Sequence, residues 1–300
     1  MYPLFQRRAL LNQHAQGTLA HSLKMIMFAL AARYSPGLAE LSKHLGAEVH
    51  QMCANFAAEA EFTHHVALAS AGNDFTLPQI QVAFLLCIYD LALGLDRKAW
   101  IQVGQLTRIA HICGLDQIEG REACIFYQPG VTTESEMEDW RHLWWNIWRL
   151  DSAANSLNSS PCSTDTSVPG TALVSTSAAC LSNGSVADNA EPASEKLYQE
   201  GRVPAIWKTM LSFLEDSTSC GLNMYTAAFT LIREASAVQR LTRYQWTFES
   251  EARLLDLDKA CAAVPLALPP WYSNPSRSIS TGESATQHGD RLRVLLVFTW

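Results

Sequence analysis

The sequence has no excess of basic residues, and its cysteines do not have the spacing of a zinc module. Its 300 residues carry a formal net charge of −7, whereas a free-standing nucleic-acid-binding domain normally presents a basic surface. No two cysteines lie closer than eleven positions apart, so the Cys-x2-Cys pattern of zinc sites is missing. We therefore expect no direct DNA contact and eight unpaired thiols in a reducing compartment. These are Cys53, Cys87, Cys113, Cys124, Cys162, Cys180, Cys220 and Cys261.

Long apolar runs of the kind that enter membranes are also missing. Leu19–Ala32 is apolar but contains Lys24, and Val82–Leu93 is too short for a span and contains Asp90. The charges near the N-terminus are not followed by the apolar core of a signal peptide. The sequence therefore predicts a chain that does not cross a membrane.

Catalytic motifs are not found either. There is no P-loop, dinucleotide fingerprint or His-Glu-x-x-His, and Gly282–Thr286 begins like a nucleophile elbow but ends in threonine. His64 and His65 would point about 100° apart on a helix, so they cannot chelate one ion. We interpret His111 and His142 as surface residues or satisfied core residues. The sequence predicts no catalytic, cofactor-binding or metal-binding residue, no cofactor and no enzyme.

Strong helix signals fill the middle of the chain. Thr76 and Gln79 have the spacing of a capping box, and the helix that they start is apolar almost all round until Gly94. A second helix is predicted from Asp96, its N-cap, to Gly114. Its predicted inward-facing residues are Trp100, Val103, Leu106, Ile109 and Ala110.

A third predicted helix carries four tryptophans within nine residues, Trp140–Trp148. Their helical spacing, shared with the apolar residues between them and with Asp151, predicts a buried core rather than a binding platform. An acidic run precedes them, and we expect it to stabilise the N-terminal end of the helix dipole. The acidic residues are Glu134, Glu136, Glu138 and Asp139.

Further helices are predicted on both sides of this stretch. They are Leu19–Arg33, Glu40–Ser70 (one long helix or two short ones), Ala205–Glu215, Leu222–Thr242 and Glu249–Ala263. The expected fold is all-α, a multi-helix bundle with two long polar loops. We divide the chain into four parts: 1–161, the N-terminal and central helices; 162–195, a flexible polar loop; 196–272, later helices of the same domain; and 273–300, a polar loop and an apolar segment that stops abruptly.

Several segments of the chain, taken in order, resemble the middle homology region of fungal-specific transcription factors. This is the regulatory domain that usually follows a Zn2Cys6 cluster. The matching residues are Leu77-Pro78-x-Ile80-Gln81, Arg97-Lys98-Ala99-Trp100, Ala110-His111-x-x-Gly114-Leu115, Arg141-His142-Leu143-Trp144-Trp145 and Leu150-Asp151. The family usually has an arginine after that aspartate and Gly-Arg before the following proline, whereas this chain has Ser152 and the pair Ser159-Ser160 before Pro161.

The resemblance implies a regulatory all-helical bundle in the nucleus that modulates transcription, one such role being control of a biosynthetic gene cluster. Its implied partners are other transcription factor subunits or a second copy in a homodimer, with DNA reached only indirectly. The resemblance also implies that a small-molecule effector could bind between the helices, but it does not specify the chemistry of that effector. We expect the chain to lack the zinc cluster before it and several helices after it, as in a shortened paralogue or a mis-joined gene model.

Two other functions remain open at the level of sequence. Helical enzymes often show no motif, so an enzyme of a fungal biosynthetic pathway is one alternative. A pocket with titratable groups of opposed, perturbed pKa would favour that alternative. A helical interaction scaffold that binds other chains is the third.

Overall fold

The computed structural model describes most of the first half of the chain and two later helices. The described residues are 4–5, 7–35, 37, 49–71, 75–94, 96–118, 134–158, 160–164, 221–244, 246–268, 274, 288–289 and 291–292. Every regular element within them is helical, and no strand occurs there. The all-α prediction is therefore confirmed. None of these helices combines the length and apolar character that crossing a bilayer requires.

The chain divides into two compact units, Met1–Cys113 and Gly114–Trp300. The first unit contains five helices among its described residues. They are α1 (Arg7–Ala15), α2 (His21–Tyr34), α3 (Val49–Ala71), α4 (Leu77–Leu93) and α5 (Arg97–Ile112). Helix α2 packs against α3 and α4, and α4 also packs against α3 and α5. Helix α4 is therefore the central element of this unit, as its nearly continuous apolar surface predicts.

The ends of α4 and α5 follow the local signals in the sequence. The backbone N–H of Thr76 donates to Oε1 of Gln79 (2.8 Å), which is one half of the predicted capping box. Gly94 ends α4 with a φ of 152°, a conformation that is essentially limited to glycine. The carboxylate of Asp96 accepts a hydrogen bond from the backbone N–H of Ala99 (2.8 Å) and so caps α5 as predicted.

The predicted inward face of α5 is wrong at Trp100. This side chain is 41% exposed, whereas its neighbour Ala99 is completely buried. Val103, Leu106 and Ala110 are buried as predicted. The buried stripe runs through Ala99, Val103, Leu106 and Ala110 instead of Trp100, because adjacent positions on a helix face directions about 100° apart.

The second unit contains a 3₁₀ turn and three helices among its described residues. They are the turn Leu115–Gln117, α6 (Glu134–Leu157), α7 (Gly221–Tyr244) and α8 (Phe248–Ala267). Helix α7 packs against both α6 and α8, and the 3₁₀ turn packs against α6. Thr247 precedes α8, and its Oγ1 accepts from the backbone N–H of Ser250 while Ser250 Oγ accepts from the N–H of Thr247. This reciprocal cap fixes the start of α8.

The predicted helices Leu19–Arg33 and Leu222–Thr242 coincide with observed ones within the usual variation at their ends. The predicted helix Glu249–Ala263 extends four residues further, to Ala267, and of the predicted Glu40–Ser70 the part from Val49 onward is helical, while residues 40–48 lie outside the described residues. Helix α1 is an addition, since the sequence predicts no helix before Leu19. The predicted helix Ala205–Glu215, the segment Gly282–Thr286 and nearly all of both polar loops lie outside the described residues. The division predicted at residues 161 and 195 stays a prediction.

Candidate functional site

The most unusual feature of the structure is a set of polar side chains buried with the tryptophans of α6. All four tryptophans are buried, which confirms the predicted core. The same helix also buries seven polar or charged residues: Glu138, Arg141, Asn146, Arg149, Asp151, Ser152 and Asn155. Buried polar groups of this kind require partners.

Asp151 is the centre of the first group. Its carboxylate accepts hydrogen bonds from the side chain of Asn155 (2.6 Å), from the backbone N–H of Ser163 (2.9 Å), and from both the N–H (3.0 Å) and the hydroxyl (2.8 Å) of Thr164. Asp151 is completely buried. Because these donors lie one helical turn away and in the segment 160–164, Asp151 attaches that segment to α6.

Two arginines of α7 hold the same segment from the other side. Nη1 of Arg233 donates to the hydroxyls of Thr164 (2.7 Å) and Ser152 (3.1 Å), and its Nη2 donates to the Thr164 carbonyl. Nη1 of Arg240 donates to the carbonyl of Ser160 (2.8 Å). We call Asp151, Ser152, Asn155, Thr164 and Arg233 the Asp151 cluster. Its donors and acceptors satisfy one another, so its geometry fits a structural clamp between α6 and α7.

A second buried group surrounds Arg149. Its guanidinium donates to the side chain of Asn146 (2.8 Å) and to the hydroxyl of Thr226 on α7. The same guanidinium lies over the ring of Tyr225, 5.3 Å from the centroid, at a distance where a cation–π attraction operates. Arg149 is 1% exposed. Removing one partner of such a buried charge is strongly destabilising.

The acidic residues before the tryptophans differ in their position along α6. Helix α6 begins at Glu134, so Glu134 and Glu136 lie in its first turn, as the dipole interpretation requires. Glu138 lies beyond that turn and is buried, and its carboxylate accepts from Nη1 of Arg141 (2.8 Å). For Glu138 the dipole interpretation is therefore replaced by a buried ion pair within the helix.

His142 lies beside this ion pair. Its Nε2 is 3.9 Å from Oε1 of Glu138, and its buried Nδ1 makes no hydrogen bond to the described residues. Burial, and then the positive charge of Arg149, lowers the pKa of His142 to about 4. The interpretation of His142 as a core residue agrees with this burial, because the neutral ring is the form that packing favours.

The pKa of His142 predicts a loss of stability in mild acid. In the unfolded chain the imidazole takes up a proton near pH 6.5, while in the folded protein it stays neutral down to about pH 4. The free energy of unfolding therefore falls as pH drops through this window, by about 3 kcal/mol from His142 at roughly 1.4 kcal/mol for each pKa unit. Urea unfolding between pH 7 and pH 4 measures this slope.

The matched variants are His142→Gln and His50→Gln. The first is expected to have a smaller pH slope than the wild type, because glutamine does not titrate. The second replaces an exposed histidine and controls for the substitution itself. Equal slopes in all three proteins would contradict the assignment.

The other histidines and the cysteines do not form a site within the described part of the chain. His64 is buried, and burial, and then His65, lowers its pKa to about 4. None of the five described cysteines forms a disulfide bond, and burial raises the pKa of the Cys87 thiol to about 12. No group of three or more metal-ligating side chains occurs among the described residues. Cys124, Cys180 and Cys220 lie outside them.

Sequence reasoning missed the arginines that complete the buried groups. No local pattern predicts that Arg149 is buried or that Arg233 and Arg240 are half-buried, since arginine is usually exposed. The one available signal was Asp151, a lone acidic residue on a tryptophan stripe, which requires a donor wherever it is buried. The donors to Asp151 are Asn155 and residues of the segment 160–164, and Arg233 of α7 completes the cluster. The sequence does not show that α7 and this segment lie beside α6.

No protein-family model, curated protein or solved structure matches the chain. Its function must therefore be argued from its own residues.

Proposed function

We propose that the chain is the regulatory, non-DNA-binding domain of a fungal transcription factor and that it acts in the nucleus. The proposal draws on the resemblance of its central segments to the middle homology region. Those segments lie in α4, in α5 with the turn after it, and in α6. An all-helical arrangement of this order agrees with the regulatory bundle that the resemblance implies.

The observation that carries the proposal concerns the motif in α6, Arg141-His142-Leu143-Trp144-Trp145 followed by Leu150-Asp151. Trp144 and Trp145 of this motif are core residues, and Asp151 at its end binds the chain that follows the helix. The family's pattern has an arginine directly after this aspartate. Here Ser152 stands at that position, and Arg233 of α7 places its guanidinium against the Ser152 hydroxyl. Ser152 remains a departure from the family's pattern, and the proposal draws on the other residues of this motif.

In this proposal the chain reaches DNA only through a partner. The net charge of −7 opposes direct binding to a polyanion, so the domain would act through another transcription factor subunit or a second copy of itself. We assign no effector ligand. The role is regulation of transcription and not catalysis.

A mobility-shift experiment with the purified chain tests the first half of the proposal. We expect no sequence-specific complex in a selection from random duplexes at physiological salt. Tight, sequence-specific binding by the chain alone would overturn the proposal. The salt concentration is held fixed, because nonspecific affinity depends strongly on it.

A reporter experiment tests the second half. The chain is fused to a heterologous DNA-binding domain in fungal cells, and we expect nuclear accumulation and a changed reporter level. Trp148→Ala, which removes a core side chain, should lose the effect, while Trp246→Ala, which changes an exposed side chain, should keep it. An unchanged reporter with a stable, nuclear fusion would contradict regulation and favour the enzyme or scaffold alternative.

A further inference from the structure

Among the described residues, none covers one long side of helix α8. It packs against α7 and buries Ser250, Leu257 and Ala260. On the side away from these residues, Phe248 is 87% exposed and Leu255 is 53% exposed. Such large apolar side chains at the surface are informative when they are aligned rather than scattered.

The exposed apolar residues of α8 are aligned. Phe248, Leu255 and Ala262 follow one another at intervals of seven positions and are all exposed. A seven-residue interval is two helical turns, so the three side chains form one stripe along the helix. Exposed charges border this stripe, with Glu251 four positions before Leu255 and Lys259 four positions after it. We call these five residues the α8 stripe.

The α8 stripe is complementary to itself. When a second α8 lies antiparallel with the two-fold axis at Leu255, the residue four positions before the axis meets the one four positions after it. Glu251 then faces the partner's Lys259, and the symmetry repeats the pair. In the same register Phe248 faces the partner's Ala262, so the largest side chain meets the smallest, and Leu255 faces its own copy. An interface with two-fold symmetry requires this self-complementarity.

We propose that the α8 stripe is a homodimer interface, in which two copies of the chain pair antiparallel about Leu255. A lipid surface is a poorer occupant, because Glu249, Glu251 and Asp258 are exposed on α8 and would be repelled by anionic headgroups. The interface comprises one helix side per copy, which is smaller than the roughly 800 Å² per partner of a standard interface. The dimer is therefore weak, with a dissociation constant of about 1–100 µM.

This inference stands on the geometry of α8 and does not depend on the proposed regulatory role. A monomeric protein that regulates a reporter would overturn the dimer alone. A dimer that leaves the reporter unchanged would count against the regulatory role alone.

Sedimentation velocity of the full chain over a range of concentrations tests the dimer. The wild type is expected to convert reversibly from monomer to dimer. Leu255→Lys brings two positive charges together at the axis and is expected to raise the dissociation constant by about 30-fold or more, the size of effect seen at a central interface residue. A wild type that stays monomeric at about 300 µM, above the expected range, would overturn the proposal. A dimer that Leu255→Lys does not weaken would also overturn it.

Charge exchange tests the register. Glu251→Lys and Lys259→Glu each place like charges together twice, and each is expected to weaken the dimer about tenfold. The double variant restores both pairs and is expected to return to within about threefold of the wild type. Glu249→Lys is the matched control, since it makes the same change in the same turn outside the stripe and should affect the dimer far less. Failure of the double variant to recover would overturn the antiparallel register.

All of these variants change exposed side chains. Their far-UV circular dichroism should match the wild type, and this shows that the bundle is retained. Small shifts of the thermal midpoint are expected, because Glu249 and Glu251 lie in the first turn of α8 and Lys259 lies 3.7 Å from Asp256. If Leu255→Lys fails to fold, the charge-exchange series decides the question by itself, because recovery in a double variant cannot arise from unfolding.

Discussion

Replacing Asp151 with asparagine is expected to lower the free energy of unfolding by about 3 kcal/mol. The carboxylate accepts from Asn155, Ser163 and Thr164 with both of its oxygens. An asparagine amide has only one oxygen, so its NH₂ group must face one of these donors whichever way it turns. The loss is measured by urea unfolding followed by circular dichroism, and hydrogen exchange in residues 134–157 locates it.

The control for this change is Asp258→Asn, which makes the same substitution at an exposed position of α8. We expect its free energy of unfolding to stay within about 0.5 kcal/mol of the wild type. Faster exchange should also extend to residues 160–164 in the Asp151 variant, because their attachment to α6 is lost. If both variants were equally stable, the Asp151 cluster would have no structural role.

Replacing Trp148 with alanine is expected to cost about 4 kcal/mol of unfolding free energy. The ring packs edge-on against Trp145, with 5.7 Å between centroids, and the guanidinium of Arg233 lies 4.7 Å from its centroid. Alanine leaves a cavity and removes the aromatic face from Arg233. Since many domains have only about 5–15 kcal/mol of stability, much of the second unit's order should be lost at moderate urea concentrations.

Trp246→Ala provides the matched control, because this tryptophan is 58% exposed in the turn before α8. The same atoms are removed, but no buried cavity forms, so the unfolding free energy should change by about 0.5 kcal/mol or less. Circular dichroism is the appropriate probe, since both changes alter tryptophan fluorescence directly. Similar losses in the two variants would show that Trp148 does not belong to the core.

The features that could be predicted from the sequence are those determined by neighbouring residues. Thr76 and Asp96 start their helices by bonding to groups three residues away, and such spacing is visible in the chain itself. The burial of the tryptophans follows in the same way, since helical spacing together with aromatic area leaves few alternatives. The all-α fold needed no more than these local rules.

The features that could not be predicted depend on which elements meet. Trp100 and Ala99 lie on adjacent helical stripes, and the close packing of α5 against α4, which the sequence does not show, decides which is buried. Arg149, Arg233 and Arg240 are ordinary surface arginines by composition. The burial of Arg149 and the partial burial of Arg233 and Arg240 follow from the packing of α7 against α6, and no local spacing encodes that contact. The candidate site was therefore invisible apart from Asp151.

The distance along the chain between the partners of these buried groups affects how the protein is made. Arg149 precedes Thr226 by 77 positions, and Ser160 precedes Arg240 by 80. At about 5–20 residues per second, a ribosome needs roughly 4–15 s to deliver α7 after α6. During that interval the tryptophan-rich helix has no α7 to cover it. We expect nascent chains stalled before residue 221 to be bound by ribosome-associated chaperones and to aggregate without them.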